Sequence, residues 1–298
     1  MRVLIVLFLT LPILTACNSL PVEPDVIPSP SEILAKSTSA DWRKPDNENL
    51  LVLELETGQV IVELAPEFAP GHVANIKALA REKYFDGLAF YRVVEGFVAQ
   101  GGDPDDEQKP IKNAQRTIPA ELFLDQPLNS TFTRVDDRDG FAAETGYVTG
   151  FPVARTADGK QSWMTHCPGA FAMARDADPN SGGATFYIVI GHAPRYLDRN
   201  TTVFGKVLQG LEYVQQLRRG YGESGVIQSK ENYNPIQSIR VAADLPASEQ
   251  PTLEVMRTDS ESFQQLIRAR ASRPEDWFYE RPDYVDVCGV IPPVRSIQ

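Results

Sequence analysis

Histidine and cysteine are scarce in this 298-residue chain, three of each, and neither falls in a pattern that holds a metal or a redox pair. His72, His166 and His192 show no His-Glu-x-x-His spacing and the cysteines form no Cys-x-x-Cys, so no metal site is expected. A Gly-x-Ser-x-Gly elbow is also missing, which removes the usual sequence signal of a serine hydrolase. Basic residues are few: 29 Lys and Arg against 40 Asp and Glu leave a formal net charge of -11, a field that repels phosphate backbones. No nucleic-acid partner is expected. Gly220-Tyr221-Gly222-Glu223-Ser224-Gly225 matches the dinucleotide pattern but follows a predicted helix where that fingerprint should follow a strand. It reads as a flexible loop, and no cofactor is expected.

Long apolar runs are lacking too. Residues 3–14 are apolar apart from Thr10, short of the roughly 20 needed to span a bilayer. Behind Met1-Arg2 they read as the core of a signal peptide, residues 1–16. The run ends in Leu14-Thr15-Ala16-Cys17, which resembles the lipobox of bacterial lipoproteins, where the signal is cut before a cysteine that becomes lipidated. An ordinary cleavage site with an incidental cysteine is the alternative. Pro21, Pro24, Pro28, Pro30 and Pro45 interrupt the stretch that follows, so residues 17–48 read as the lipidated cysteine and an extended tether. The expected location is the bacterial cell envelope, lipid-anchored and facing the periplasm, with membrane contact through the anchor only. Asn18, where an acid would signal inner-membrane retention, favours the outer membrane. With Cys17 lipidated, Cys167 and Cys288 remain in a compartment where disulfides form. Spacing alone leaves a bridge and two separate thiols equally open.

What is present is strand-like alternation. Leu51, Leu53 and Leu55, a turn at Thr57-Gly58, and Val60, Val62 and Leu64 predict a hairpin. Pro70 near the start of residues 69–80, with Val73, Ile76 and Ala80 at helical spacing, predicts a helix. Further strands are expected over 88–94, 97–100, 169–174, 185–190, 202–207 and 236–242, and a second helix over 211–219. Seven or eight strands with two helices imply a mainly β, closed barrel rather than strand-helix repeats on a parallel sheet. Residues 103–168, rich in Asp, Arg, Thr and Gly, read as an inserted loop region packed over one side. Residues 244–298 read as a C-terminal extension, helical near 260–270 and docked on the domain through Trp277-Phe278-Tyr279.

The run Phe90-Tyr91-Arg92-Val93-Val94-Glu95-Gly96-Phe97-Val98-Ala99-Gln100-Gly101-Gly102-Asp103 places an arginine in an apolar strand, where a charge needs a partner or a purpose. A rim arginine paired with a carboxylate is the plain structural account. The run nevertheless closely resembles the signature of the cyclophilin family of peptidyl-prolyl cis-trans isomerases. Gly169-Ala170-Phe171-Ala172-Met173-Ala174-Arg175, Phe186-Tyr187-Ile188, Leu197-Asp198 and Val203-Phe204-Gly205-Lys206-Val207 extend the resemblance in order from about residue 50 to 242. The resemblance implies an eight-stranded antiparallel barrel capped by two α-helices, residues 49–243, working as a monomer on proline-containing polypeptides.

Carried over by position, the resemblance implies that Arg92, Phe97 and Gln100 are the catalytic residues. It implies a pocket completed by Val98, Ala174, Arg175, Thr185, Tyr187, Tyr196, Leu197 and Thr201. Several depart from the commonest animal pattern: Val98 stands for methionine, Arg175 for asparagine, Thr185 for glutamine, Tyr187 for phenylalanine and Thr201 for histidine. Strand parity supports the assignment independently, since Thr185, Tyr187 and Val189 share one face and Phe186, Ile188 and Ile190 the other. The implied activity is rotation of X-Pro bonds in extracytoplasmic proteins, assisting their folding. A module that binds proline segments without turnover is the alternative, kept open by Thr185 and Tyr196.

Overall fold

Residues 30–36, inside the expected tether, instead form a helix, α1 (Pro30–Lys36), in the computed structural model, which describes residues 27–103, 109–136 and 138–297. The candidate signal peptide, Cys17 and the start of the tether lie outside the described residues. Pro30 sits at the first helical position, where its missing N–H is not needed, and Ser29 and Glu32 form a reciprocal capping box. Seven residues are too few for periodicity to register, so the prolines dominated the reading. Next comes β1 (Trp42–Arg43), with Trp42 buried. Among the described residues no helix is long and apolar enough to cross a membrane.

The alternating segments form the expected strands: β2 (Leu50–Leu55) and β3 (Gly58–Leu64), then, after helix α2 (Pro70–Arg81), β4 (Ala89–Val93) and β5 (Val98–Gly102). Residues 103–168 depart from the loop reading, because they carry a four-stranded meander. Its strands are β6 (Phe132–Asp136), β7 (Glu144–Val148), β8 (Phe151–Arg155) and β9 (Ser162–Met164). These strands are three to five residues long and interleaved with Thr, Gly and Arg, so composition concealed them. Then follow β10 (Ala170–Met173), β11 (Phe186–Val189), β12 (Val203–Gln209), α3 (Leu211–Gln215) and β13 (Asn234–Val241). The second helix thus ends short of residue 219.

Eight strands close into an antiparallel barrel in the order β10-β11-β5-β4-β13-β2-β3-β12. Its interior is filled by the inward parity of each strand, including Leu53, Val62, Phe90, Phe171, Phe186 and Ile188. Val73, Ile76 and Leu79 of α2 and Val214 of α3 cover that core. The opposite parity of β5, β10 and β11 carries Val98, Ala172, Tyr187 and Val189 into a second apolar cluster with Val148, Val153 and Met164 of the inserted sheet. The insertion therefore packs on the outer face of the barrel wall.

The chain ends with β14 (Leu253–Met256), α4 (Glu261–Ser272) and β15 (Val294–Ser296), the strands forming a small sheet in the order β1-β14-β15. Trp42 from the N-terminal segment, Tyr147 from the insertion, and Met256, Phe263, Leu266 and Val287 from the extension share a separate core. The extension thus docks, but not through its aromatic triplet: Trp277 and Tyr279 are 84% and 98% exposed. Aliphatic residues and Phe263 do that work, spaced more widely than a compositional reading detects. Cys167 and Cys288 are disulfide-bonded, their Cα atoms 5.1 Å apart, which joins the insertion's end to the extension. Arg43 ties the N-terminal segment to the barrel and the insertion, donating to both Glu63 carboxylate oxygens at 2.6 and 2.9 Å and to the Thr149 carbonyl at 2.7 Å.

Candidate active site

Side chains alternate across a strand, so residues paired on neighbouring strands line up on one face. Gln100 on β5 lies between Arg92 on β4 and Tyr187 on β11, and Tyr187 pairs in turn with Ala172 on β10. The β4–β5 register shifts between Phe90 and Arg92. A bulge of this kind re-aims a side chain. Phe90 faces the barrel core while Arg92 turns out, half-buried, toward Gln100.

The Arg92 guanidinium is held on two sides. Nη1 donates to Gln100 Oε1 at 3.2 Å, and Nε donates to the Ser224 carbonyl at 2.7 Å. Gln100 is itself fixed, donating from Nε2 to the Tyr91 hydroxyl at 2.7 Å. The account of Arg92 as half of a rim salt bridge is not what is found, since its partners are an amide and a carbonyl.

The other expected pocket residues border this row. Phe97 stacks with Tyr196, ring centroids 6.5 Å apart and planes 21° apart, and Tyr196 is 63% exposed. Val98 lies buried in the cluster that contains Tyr187, and Phe97 and Ala174 pack against it. The Tyr187 and Thr201 hydroxyls are hydrogen-bonded, and Leu197 sits in the same turn as Thr201, its carbonyl accepting from the Thr201 N–H. Two residues lie to one side. Arg175 turns its side chain away to donate from Nε to the Asn200 carbonyl at 2.8 Å. Thr185 stands two residues from Tyr187, just before β11, beside a cavity of 340 Å³ that Gln100, Ala174 and Arg175 also line. Its buried Oγ1 has no hydrogen-bond partner there.

Sequence reasoning missed what supports Arg92. The glycine-rich loop set aside as flexible runs along β4: Gly220 N–H donates to the Val93 carbonyl, Val93 N–H to the Gly225 carbonyl and Ile227 N–H to the Tyr91 carbonyl. That docking presents the Ser224 carbonyl to Arg92. Gly225 is at φ +65°, and a Cβ there would lie 2.4 Å from Val94 Cγ2 and 3.0 Å from the Val93 carbonyl oxygen. Gly222 has the same φ with open space around it. Gly225→Ala is therefore expected to destabilise the protein by about 1–3 kcal/mol, and Gly222→Ala by less. Thermal unfolding of the two variants measures it, and equal losses would mean that the loop is not pressed against β4.

The site as built offers a fixed cationic donor beside an apolar, aromatic-walled surface, and among the described residues there is no cluster of potential metal ligands. Such an arrangement can bind an apolar ring and stabilise electron density that appears next to it.

Comparisons with known proteins identify the family. The family model described as cyclophilin type peptidyl-prolyl cis-trans isomerase/CLD matches residues 50–243. A relative from Brucella suis biovar 1, named a peptidyl-prolyl cis-trans isomerase, is 34% identical over 189 residues, covering 62% of this chain and 80% of its own. Peptidyl-prolyl cis-trans isomerase B of Bacillus subtilis is 35% identical over 168 residues, 56% of this chain and 88% of its own. The crystal structure of the cyclophilin AquaCyp293 from Hirschia baltica superposes with a TM-score of 0.70 at 30% identity, over 88% of this chain and 99% of that one. That likeness reaches beyond the barrel into the added segments.

Proposed function

This chain belongs to the cyclophilin-type peptidyl-prolyl cis-trans isomerases, and from that premise we propose that Arg92, Phe97 and Gln100 carry its isomerase activity, on extracytoplasmic proteins whose folding it assists. The observation that carries the assignment is the Arg92 guanidinium, held through Nε and Nη1 while Nη2 makes no hydrogen bond among the described residues.

An X-Pro bond has nearly balanced isomers separated by a barrier of about 18–20 kcal/mol, because rotation breaks amide resonance. As the bond twists, the prolyl nitrogen regains a lone pair. A guanidinium donor aimed at that nitrogen interacts more strongly with the twisted state than with either planar one, which is what lowers a barrier. No proton need be transferred, so arginine, with several fixed donors, suits the task. Phe97, Val98, Tyr187 and Leu197 would grip the proline ring. Gln100, with the main chain of Arg175, would orient the carbonyls on either side, and Tyr196 and Thr201 would close the rim.

The same proposal places the enzyme as a monomer on the periplasmic side of the outer membrane, held by lipid on Cys17. The lipobox-like Leu14-Thr15-Ala16-Cys17 and the Cys167–Cys288 bridge, of a kind found in oxidising compartments, support that placement. Expression of the full chain in a bacterium with two membranes is expected to give palmitate-labelled protein in the outer-membrane fraction. Cys17→Ser is expected to be unlabelled. Wild-type protein that takes up no label would overturn the anchor.

A further inference from the structure

Beneath the proposed prolyl site lies a buried polar chain that the mechanism does not use. His166, wholly buried, directs Nδ1 to Asp198 Oδ1 at 2.9 Å, and its own backbone N–H donates to the same oxygen. Asp198 Oδ2 accepts from Arg195 Nε at 2.6 Å. Arg195 in turn donates from Nη1 and Nη2 to Asp139 at 2.9 and 3.1 Å. The Arg195, Asp198 and Asp139 side chains are 4%, 5% and 3% exposed. At the other end His166 Nε2 lies 2.9 Å from the Tyr187 hydroxyl and 3.0 Å from Thr201 Oγ1, and its ring stacks on Tyr187 with planes 15° apart.

The direction of these bonds follows from the carboxylate. Burial alone would raise the Asp198 pKa, but the His166 hydrogen bond and the Arg195 charge hold it below the usual range, so Asp198 accepts from Nδ1–H. In the neutral ring Nε2 then has a lone pair to offer, and among the described residues the polar hydrogens facing it belong to Tyr187 and Thr201. Burial pushes the Tyr187 hydroxyl well above its ordinary range, which keeps it protonated and able to donate. A tyrosine whose hydroxyl is anchored at its far end cannot swing its ring, and the face it presents toward Gln100 is fixed. Phenylalanine at this position would have no such anchor.

We propose that His166 is a positioning residue for prolyl binding, fixing the Tyr187 and Thr201 wall of the pocket, and that Asp139 of the inserted segment acts on the same wall through Arg195 and Asp198. The proposal rests on Tyr187 lining the prolyl site, as argued above. It gives the insertion a direct part in the activity. Asp139 supplies the carboxylate that compensates Arg195, and without it a buried cation would pull on the one acceptor that orients His166.

The test is kcat and KM for a short Ala-Pro peptide with the full chain and its Arg92→Ala, His166→Ala, His166→Gln, Tyr187→Phe, Asp139→Asn and His166→Ala/Tyr187→Phe variants. Binding geometry tolerates little displacement, so His166→Ala is expected to raise KM about tenfold with a much smaller change in kcat. His166→Gln, whose amide oxygen can accept from the same hydroxyls, is expected to recover most of that loss. In the Tyr187→Phe background His166→Ala is expected to cost severalfold less, because the hydroxyl it positions is gone. A loss of equal size in both backgrounds, or an unchanged KM in a folded His166→Ala, overturns the proposal. Should His166→Ala fail to fold, Asp139→Asn decides it: a KM raised severalfold supports the chain of contacts, and an unchanged KM overturns it. Arg92→Ala separates the two levels, since full activity in that variant would bring down the site assignment itself, whereas its inactivity beside a normal His166→Ala would bring down only the positioning role.

Discussion

Arg92→Ala is expected to lower kcat/KM for a short X-Pro peptide on the order of a hundredfold while the protein stays folded. A directed hydrogen bond from a charged donor contributes roughly 3 kcal/mol, and each 1.36 kcal/mol corresponds to about tenfold in rate. The fold should tolerate the change because Arg92 is half-buried on the outer face and its partners, the Ser224 carbonyl and Gln100, can turn to water. Arg92→Lys is expected to recover little. A single ammonium cannot hold the Ser224 carbonyl and the Gln100 amide and still meet the substrate, whereas the guanidinium fork has a separate nitrogen for each. Protease-coupled or NMR exchange measurement of isomerisation reads the effect directly. An Arg92→Ala protein that kept a third or more of wild-type activity would remove Arg92 from the mechanism.

The second large effect is on stability. Replacing Cys167 and Cys288 together by serine is expected to cost about 2–5 kcal/mol, measured by urea unfolding. The bridge joins residues 121 apart in sequence, so in the unfolded chain it closes a long loop and removes much conformational freedom. It also sits in the small core shared by Trp42, Tyr147, Phe263 and Val287, whose segments come from three distant parts of the chain. Without the bridge that core must be assembled at the full entropic cost of gathering them. Reductant should lower wild-type stability toward that of the variant and leave the variant unchanged. Equal stability of the oxidised wild type and the variant would show that packing alone holds the extension.

The barrel strands were legible because one parity of each fills the barrel interior, and that inward set writes a period of two into the sequence, as in Leu51, Leu53 and Leu55. The inserted sheet escaped notice for the opposite reason. Val148, Val153 and Met164 become apolar wall only because the outer face of β5, β10 and β11 lies opposite them. The extension misled in another way. Trp277 and Tyr279 are the residues a compositional reading would bury, yet they are exposed, and Val285, Val287 and Val290 are buried instead.

The site divides along the same line. Arg92 and Gln100 lie on two paired strands with Phe97 in the turn between them, so the three could be named from one motif, and a second block of the same resemblance implied Tyr187, with parity on β11 agreeing. The Ser224 carbonyl is a backbone group from a loop 132 residues away, and no side-chain pattern announces it. His166 lies 21 residues from Tyr187 and 32 from Asp198 and looked like an isolated histidine without ligand spacing. Sequence by itself marked the barrel strands, because alternation is a local rule, and the family resemblance named the row of side chains across them. Only the tertiary structure decided what holds that row in place, since the supports are main-chain carbonyls and buried ion pairs that exist once distant segments have met and excluded water.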